Sequence, residues 1–576
     1  MAKQKINIYS VNSQNIIWLF EVITSAFWLL KNKDTSIDVQ IILLDDPNVS
    51  FLRNNIKYYI KLFYVNSNQS SKRLFRRLIK IIFISNKIKS KILNYLEVPF
   101  EKDSIHNKIN LKKEVFLKNK NINFFIKHAK FSSFLNLIFI KLLSLLISSF
   151  IFVYYKLFKT TKMFLKLRYR NILIGDIIAS TFLRKNPKNA GSLRLTFGVL
   201  SLLNKVIFYN LKSKKIVKSL NEKLSYIILP EPTYLQVFWK RLFIKHGATS
   251  IETHSYEKKF YLNNNQLMGN PWIAKKKPIK KISAKQREDI DNFFNIRLNN
   301  PEKIMSYMTK INSNNNNENQ INTIDNKILN FKNNDLNNKE LVAIIFLHSF
   351  DDAQYCFGID DFTDLYEWTI FSIESCLANS EFDKILIKPH PGSDYEVFPG
   401  DKIAFDKIYQ KYNKIEKISF IKKDSSIVYL SSVSNVIGIT HHGSVAEELV
   451  YLNQNVVGYV GGMWSDYYKF LDTWNTRNEY TEIIKKYNKN KIKKPSDKEI
   501  EHLLNYIIER KLNAIDLRNY SIRLLLSREI QQFKHWNFNA YDEWKTFNNE
   551  TELICNNNFF ADEILGCLYK HANSIN

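Results

Sequence analysis

The sequence of 576 residues predicts an α/β protein made of two open β/α domains, and three observations predict it. Fully apolar runs of strand length recur and end at turn residues. Apolar segments at helical spacing alternate with those runs, the pattern of parallel sheets covered by helices. An Asn-rich stretch at 297–339, including Asn312-Ser-Asn-Asn-Asn-Asn-Glu-Asn-Gln, has few apolar residues at any period, reads as a flexible connector or surface excursion, and divides the alternation. A chain of this length also exceeds what one hydrophobic core serves.

In chain order, Ile6 to Ser10 reads as a strand, Ile16 to Leu30 as a helix, and Val39-Gln-Ile-Ile-Leu-Leu as a second strand. This is a βαβ opening. Residues 50–130 are basic and irregular and give no element order. Asn171-Ile-Leu-Ile-Gly-Asp and Tyr226-Ile-Ile-Leu-Pro-Glu-Pro read as buried strands ending in turns. Beyond the Asn-rich stretch, Leu341-Val-Ala-Ile-Ile-Phe-Leu ends at His348-Ser-Phe-Asp-Asp, and Phe362 to Leu377 has helical spacing. Lys384-Ile-Leu-Ile-Lys-Pro-His-Pro and Val436-Ile-Gly-Ile-Thr-His-His-Gly-Ser each read as strand then turn. A helix from Ser444 to Leu452 and a strand from Val456 complete the second unit, and 497–576 is mainly helical. The expected domains are 1–296, a linker at 297–339, 340–500, and a helical tail at 501–576.

Lys and Arg number 84 against 55 acidic residues, a formal charge of +29. Nucleic acid, an anionic membrane or a polyanionic substrate would each use such a balance. Abundant Lys, Asn and Ile with scarce Gly and Pro also fit the composition of an AT-rich genome, which accounts for roughly half of the excess. The basic residues are mainly dispersed Lys, without an Arg-rich patch interleaved with aromatics, so no nucleic-acid partner is expected. The four cysteines have no CxxC spacing, so neither a zinc site nor a disulfide framework is expected. The N-terminal residues lack a signal-peptide pattern, and a cytoplasmic location is expected.

From Phe131 to Tyr155 the chain is nearly all apolar, interrupted by Asn136 and Lys141 and flanked on both sides by lysines. A Lys at the centre of a membrane span costs roughly 2.5–3.5 kcal/mol, and symmetrical flanks give no orientation. An in-plane helix against anionic lipid fits better than a span, with a buried helix hairpin as the alternative. The expected location is therefore the cytoplasmic side of the inner membrane, by peripheral association.

Two strand ends carry the candidate chemistry. In Lys388-Pro389-His390-Pro391 the prolines stiffen the exit from a strand and present a cation and an imidazole, groups suited to a phosphate ester. In His441-His442-Gly443-Ser444-Val445-Ala446-Glu447, Gly443 allows close backbone approach and Ser444 opens a helix whose free amides bind anions. Ser444 and Glu447 also have capping-box spacing. The histidines lack a carboxylate or Cys at ligand spacing, so no metal is expected.

The pair KPHP and HHGSVAEE resembles the bacterial capsule polysaccharide biosynthesis proteins, a group related to polysialyltransferases, capsule Kdo transferases and CDP-glycerol polymerases. Phe346-Leu-His-Ser-Phe-Asp-Asp-Ala, Asp361-Phe-Thr-Asp-Leu-Tyr-Glu-Trp and Leu173-Ile-Gly-Asp-Ile-Ile-Ala-Ser-Thr-Phe-Leu-Arg are similar to the same group. The resemblance covers 340–465 well and 170–260 loosely. It implies a GT-B fold: two Rossmann-like domains facing a cleft, the donor nucleotide on the C-terminal one and the acceptor on the other. It further implies a metal-independent glycosyltransferase using a nucleotide-sugar donor, CMP- or UDP-linked, and a glycan or lipid-linked acceptor. His390 and Ser444 match the positions that hold donor phosphate; Lys388, His442, Gly443 and Glu447 accompany them.

A catalytic base is expected from the N-terminal domain: Asp176 first, Glu231 second, Glu252 third. Asp351 and Asp352 sit at a donor-side strand end and are candidates to line the cleft. A polyol-phosphate transferase of the CDP-glycerol type, and a non-catalytic assembly factor for surface glycans, are the alternatives.

Overall fold

The computed structural model describes residues 4–12, 37–45, 115–119, 122–128, 134–190, 193–220, 225–230, 234–253, 260–263, 277–299 and 340–512, apart from 353, 356, 392–397, 424, 434 and 465–466. Glu231, the expected helix at Ile16–Leu30, most of the Asn-rich stretch and the tail beyond 512 lie outside the described residues.

The N-terminal sheet has seven strands, in the order β3-β4-β2-β1-β7-β8-β9. Its parallel core is β1 (Gln4–Asn12), β2 (Ile37–Asp45), β4 (Ile122–His128), β7 (Ser225–Pro230) and β8 (Thr249–Thr253). β3 (Val115–Asn119) and β9 (Phe260–Asn263) close the two edges antiparallel. Numbered by appearance, the parallel strands run 3-2-1-4-5, so the sheet is doubly wound with its switch point between β1 and β7. The expected strand at Ile172 is only a two-residue hairpin arm, β6 (Ile172–Leu173) paired with β5 (Arg168–Tyr169).

Helix α1 (Phe134–Phe158) lies along α3 (Phe197–Lys212), while α2 (Gly175–Lys185) and α4 (Val237–Lys245) join the same core. That core is aromatic-rich: Phe164, Phe182, Tyr209, Trp239 and Phe243 are all fully buried. Packing along α1 is inverted relative to an ordinary amphipathic helix. Asn204 of α3 donates to Ser144 and Ser148 at 3.2 Å each and receives Lys141, so the polar side chains of α1 face the protein. Phe139, Leu142, Leu146, Phe150 and Leu157, spaced three, four or seven apart and so on one helix face, point outward, from 58% to 76% exposed.

The C-terminal sheet is all parallel, in the order β12-β11-β10-β13-β14-β15. Its strands are β10 (Leu341–Phe346), β11 (Lys384–Lys388), β12 (Ile418–Phe420), β13 (Asn435–Ile439), β14 (Asn455–Tyr459) and β15 (Asp472–Trp474). This is the 3-2-1-4-5-6 order of a doubly wound sheet, and its switch point lies between β10 and β13. The architecture is thus α/β, with two Rossmann-like domains, as the sequence predicts.

One boundary needs correction. Helix α5 (Ala284–Asn299) belongs to the C-terminal domain: Ile290 and Phe294 are buried with Val342 and Leu449, and the Phe294 and Tyr451 rings stack at 3.9 Å. Lys280 N–H also donates to Asn505 in α9 (Asp497–Ile507). The C-terminal domain therefore takes in residues before the Asn-rich stretch, from Lys280 to Arg297.

The domains also exchange side chains. Ala190, after α2, is buried in the C-terminal core, whereas Tyr355, from the loop after β10, is buried in the N-terminal core. Polar contacts flank this exchange: Leu193 N–H donates to Asp364 at 3.4 Å and Lys407 to the Ala190 carbonyl at 3.2 Å, and Lys162 pairs with Asp361.

Candidate functional site

Strands β10, β11 and β13 end side by side, and each delivers a histidine just beyond its last residue: His348, His390 and the pair His441–His442. Parallel pairing is the reason, since neighbouring strands in register release their chains at one edge of the sheet. Nε2 of His348 accepts the backbone N–H groups of His441 and His442, at 3.2 and 3.4 Å, and lies 3.0 Å from Thr440 Oγ1. A nitrogen that accepts amide protons is bare, so His348 is neutral with its proton on Nδ1. Burial, with His441 and His390 nearby, keeps it well below the ordinary histidine range.

His442 lies between two rings, His348 and Phe357, each with its centroid at 4.2 Å. Its pKa is also held well below the usual value, by burial first and then by His348, His441 and His390. His441 is 2% exposed and ringed by Trp368, Tyr459 and Trp474. Its Nε2 meets the carboxylate of Asp360, and its Nδ1 lies 2.7 Å from Nδ1 of His442. His390 is lowered to about 4, by burial and then by the Lys388 ammonium. Neutral imidazoles with donor nitrogens, gathered where a parallel sheet reverses its winding, are suited to hydrogen-bond an anionic ester.

Gly443 is required for this packing. A Cβ there would lie 2.7 Å from Thr440 Oγ1 and 3.2 Å from His348 Cε1. Ser444 precedes α8 (Val445–Tyr451), but the capping box does not form: its hydroxyl takes a hydrogen bond from Arg297 of α5 at 2.6 Å. Arg297 also pairs with Glu448 at 2.6 Å, which places a buried guanidinium beside the expected anion position.

Three expected site residues are placed elsewhere. Lys388 is 6% exposed and donates to the carbonyls of Lys422 and Lys423 beyond β12, so its ammonium is committed to backbone. Glu447 is fully buried, with Oε1 accepting from Tyr506 at 2.9 Å, on the side of α8 that packs against α9. Asp176 sits in the first turn of α2, where Arg241 donates to both carboxylate oxygens at 2.7 Å. A carboxylate gripped in this way serves the fold, so the expectation of a cleft base at Asp176 is replaced by a structural ion pair. Of Glu252 only the backbone, in β8, is described. Asp351 is 1% exposed and accepts Gly400 N–H at 3.0 Å, with Arg184 of the N-terminal domain at 3.7 Å. Asp352 accepts the hydroxyl of Tyr234, so both acids tie the domains together.

Between the domains lies an open cavity of about 480 Å³, lined by Thr160, Lys162, Leu193, Asp364 and Glu367 among others. Among the described residues no three His, Cys, Asp or Glu side chains are arranged to hold a metal ion.

No family model matches the chain, and no curated protein matches it in sequence. Among solved structures, a trehalose 6-phosphate synthase from Burkholderia multivorans is 8% identical, with a TM-score of 0.28 over 92% of this chain and 99% of that one. A UDP-GlcNAc 2-epimerase from Methanocaldococcus jannaschii is 10% identical, with a TM-score of 0.23 over 88% and 99%. The wall teichoic acid polymerase TagF is 12% identical, with a TM-score of 0.20 over 70% of this chain and 100% of that one. Overlaps this loose carry no argument, and the assignment of two Rossmann-like domains rests on the chain's own strand order.

Proposed function

We propose that the chain is a GT-B glycosyltransferase that moves a sugar from a nucleotide-sugar donor, CMP- or UDP-linked, to a growing surface polysaccharide, capsule or lipopolysaccharide. The observation that carries this reading is the cluster of His348, His390, His442 and Gly443 at the switch point of the C-terminal sheet. A diphosphate or monophosphate there would meet ring N–H groups of His348 and His390 and the backbone amides of Ser444 and Val445. Calorimetry against CMP, CDP, UDP, GDP and their sugars tests it. One nucleotide class should bind, and His390→Ala should weaken binding by about tenfold or more. A folded protein that binds none of them would sink the proposal and favour an assembly factor.

The same reading puts the protein on the cytoplasmic side of an anionic inner membrane. Helix α1 supports this, because it turns its polar side chains inward and an apolar stripe outward. Asn136–Phe158 is long and apolar enough to cross a bilayer by length and composition. Its packing along α3 favours lying in the interface instead. Vesicles containing phosphatidylglycerol should float the wild-type protein but not a Phe139→Ser, Leu146→Ser, Phe150→Ser variant. Equal flotation of both would remove α1 as the anchor.

A further inference from the structure

Phosphate binding does not by itself call for three titratable groups in a line, yet the switch point contains one. The carboxylate of Asp360 meets Nε2 of His441, and Nδ1 of His441 meets Nδ1 of His442 at 2.7 Å. No hydrogen bond engages the remaining nitrogen, Nε2 of His442, among the described residues. Adjacent residues on a strand point to opposite faces. These two meet because the chain leaves β13 at Ile439 and bends through both histidines.

A carboxylate only accepts, so His441 presents Nε2–H to Asp360; in the resting tautomer of the relay its Nδ1 is bare. His442 must then donate its own Nδ1–H to that nitrogen, which leaves its Nε2 bare.

We propose that Asp360, His441 and His442 form a proton relay whose outer end, Nε2 of His442, is the acid–base group of the site. In the base direction an acceptor O–H bond breaks, its electron pair stays on oxygen, and Nε2–H forms on His442. The Nδ1–H of His442 breaks as Nδ1–H forms on His441, and the positive charge rests on His441 beside Asp360. The reverse sequence returns the proton to water. Asp360 is a positioning residue in this scheme, because it reaches the reacting proton only through His441.

The surroundings suit the assignment. Trp368, Tyr459 and Trp474 confine the His441 ring, while Phe357 and His348 confine that of His442. The titratable neighbours are His348 and His390 toward His442, with Lys388 beyond, and Tyr459 and Asp360 toward His441. Tyr459 is pushed up to about 12, chiefly by burial, and stays silent across the working range. Burial and the neighbouring imidazoles hold the His442 pKa down, which keeps the ring neutral, and an arriving phosphate would strengthen it as a base.

The relay rests on the donor-site reading for what it acts upon, but its coupling is measurable on ligand-free protein. Mass spectrometry of histidine C2-proton exchange, run on the full chain across acid and neutral pH, reads each histidine separately. Asp360→Ala should shift the titration midpoint of His442, which Asp360 does not touch, by about one pH unit. Asp360→Glu should restore the midpoint, and His441→Gln should abolish the response to Asp360→Ala. Asp360→Asn replaces Asp360→Ala if the latter does not fold. An unmoved His442 midpoint in a folded Asp360 variant overturns the relay, as does a response that survives His441→Gln. Coupling without nucleotide binding upholds the relay and sinks the donor site; nucleotide binding without coupling overturns the relay alone.

Discussion

Arg241 holds the two carboxylate oxygens of Asp176 at 2.7 Å each, in a place where neither side chain is more than 6% exposed. The same guanidinium donates to the Leu173 carbonyl at 2.8 Å, so it fastens the β6 hairpin to the start of α2. Removing one partner leaves the other charge buried and alone. Asp176→Ala should therefore cost about 3–5 kcal/mol in denaturant unfolding. A double change, Asp176→Leu with Arg241→Met, should recover most of that loss. If Asp176→Ala unfolds like wild type while a measured transferase activity disappears, Asp176 is a catalytic group after all.

Gly443→Ala should cost about 1–3 kcal/mol, because the methyl meets Thr440 and His348 rather than open space. It should also weaken nucleotide binding, since relief of the clash displaces the ring that orders the His441 and His442 amides. Calorimetric affinity unchanged from wild type would show that the turn at Gly443 lies outside the donor site.

Acid should destabilise the fold earlier than carboxylates alone would bring about. His390 has a folded pKa of about 4, below its ordinary 6.5, so the unfolded chain binds the proton first. Its stabilising contribution is present above pH 6.5 and is lost as pH falls from there toward 4. The slope is at most about 1.4 kcal/mol per pH unit for each such histidine. His348 and His442 are lowered in the same direction and should add to it. Urea midpoints across this window should fall less steeply for His390→Gln than for wild type, and equal slopes would contradict the assignment.

Asp361 is held below the usual carboxylate range, first by the hydrogen bond from Lys162 and then by the Arg477 amide. Its contribution is present above the unfolded value of 3.8 and lost as pH falls through the lower folded value. Both side chains of the Lys162 pair are about one-third exposed, at 31% and 36%, so the interaction is screened. Lys162→Ala should cost no more than about 1 kcal/mol at low salt and less in concentrated NaCl. A larger, salt-independent loss would show that Lys162 supports the domain contact by packing.

What was legible in the sequence follows from where the physics is local. β10, β11, β13 and β14 are buried on both faces, so they read as unbroken apolar runs, and the four places match. The assignment of α5 to the first domain failed because few of its residues carry the packing: Ile290, Phe294 and Arg297 are the buried ones. His348 was visible as a strand-end residue, but its partners lie 92 to 94 positions away, across the sheet. Asp176 looked available because Arg241 is 65 residues downstream. Lys388 ends β11, as the apolar run before it implies. The direction of its side chain depends on the carbonyls beyond β12, which no local pattern encodes.

The exchange of Ala190 and Tyr355 between the two cores bears on how the chain comes apart. Neither half keeps a complete interior once the other has melted, so heat should yield one calorimetric transition where two independent lobes would give two. Any opening between the lobes must first withdraw a phenol from one interior and a methyl from the other, so the two lobes are latched by the same side chains that complete their cores.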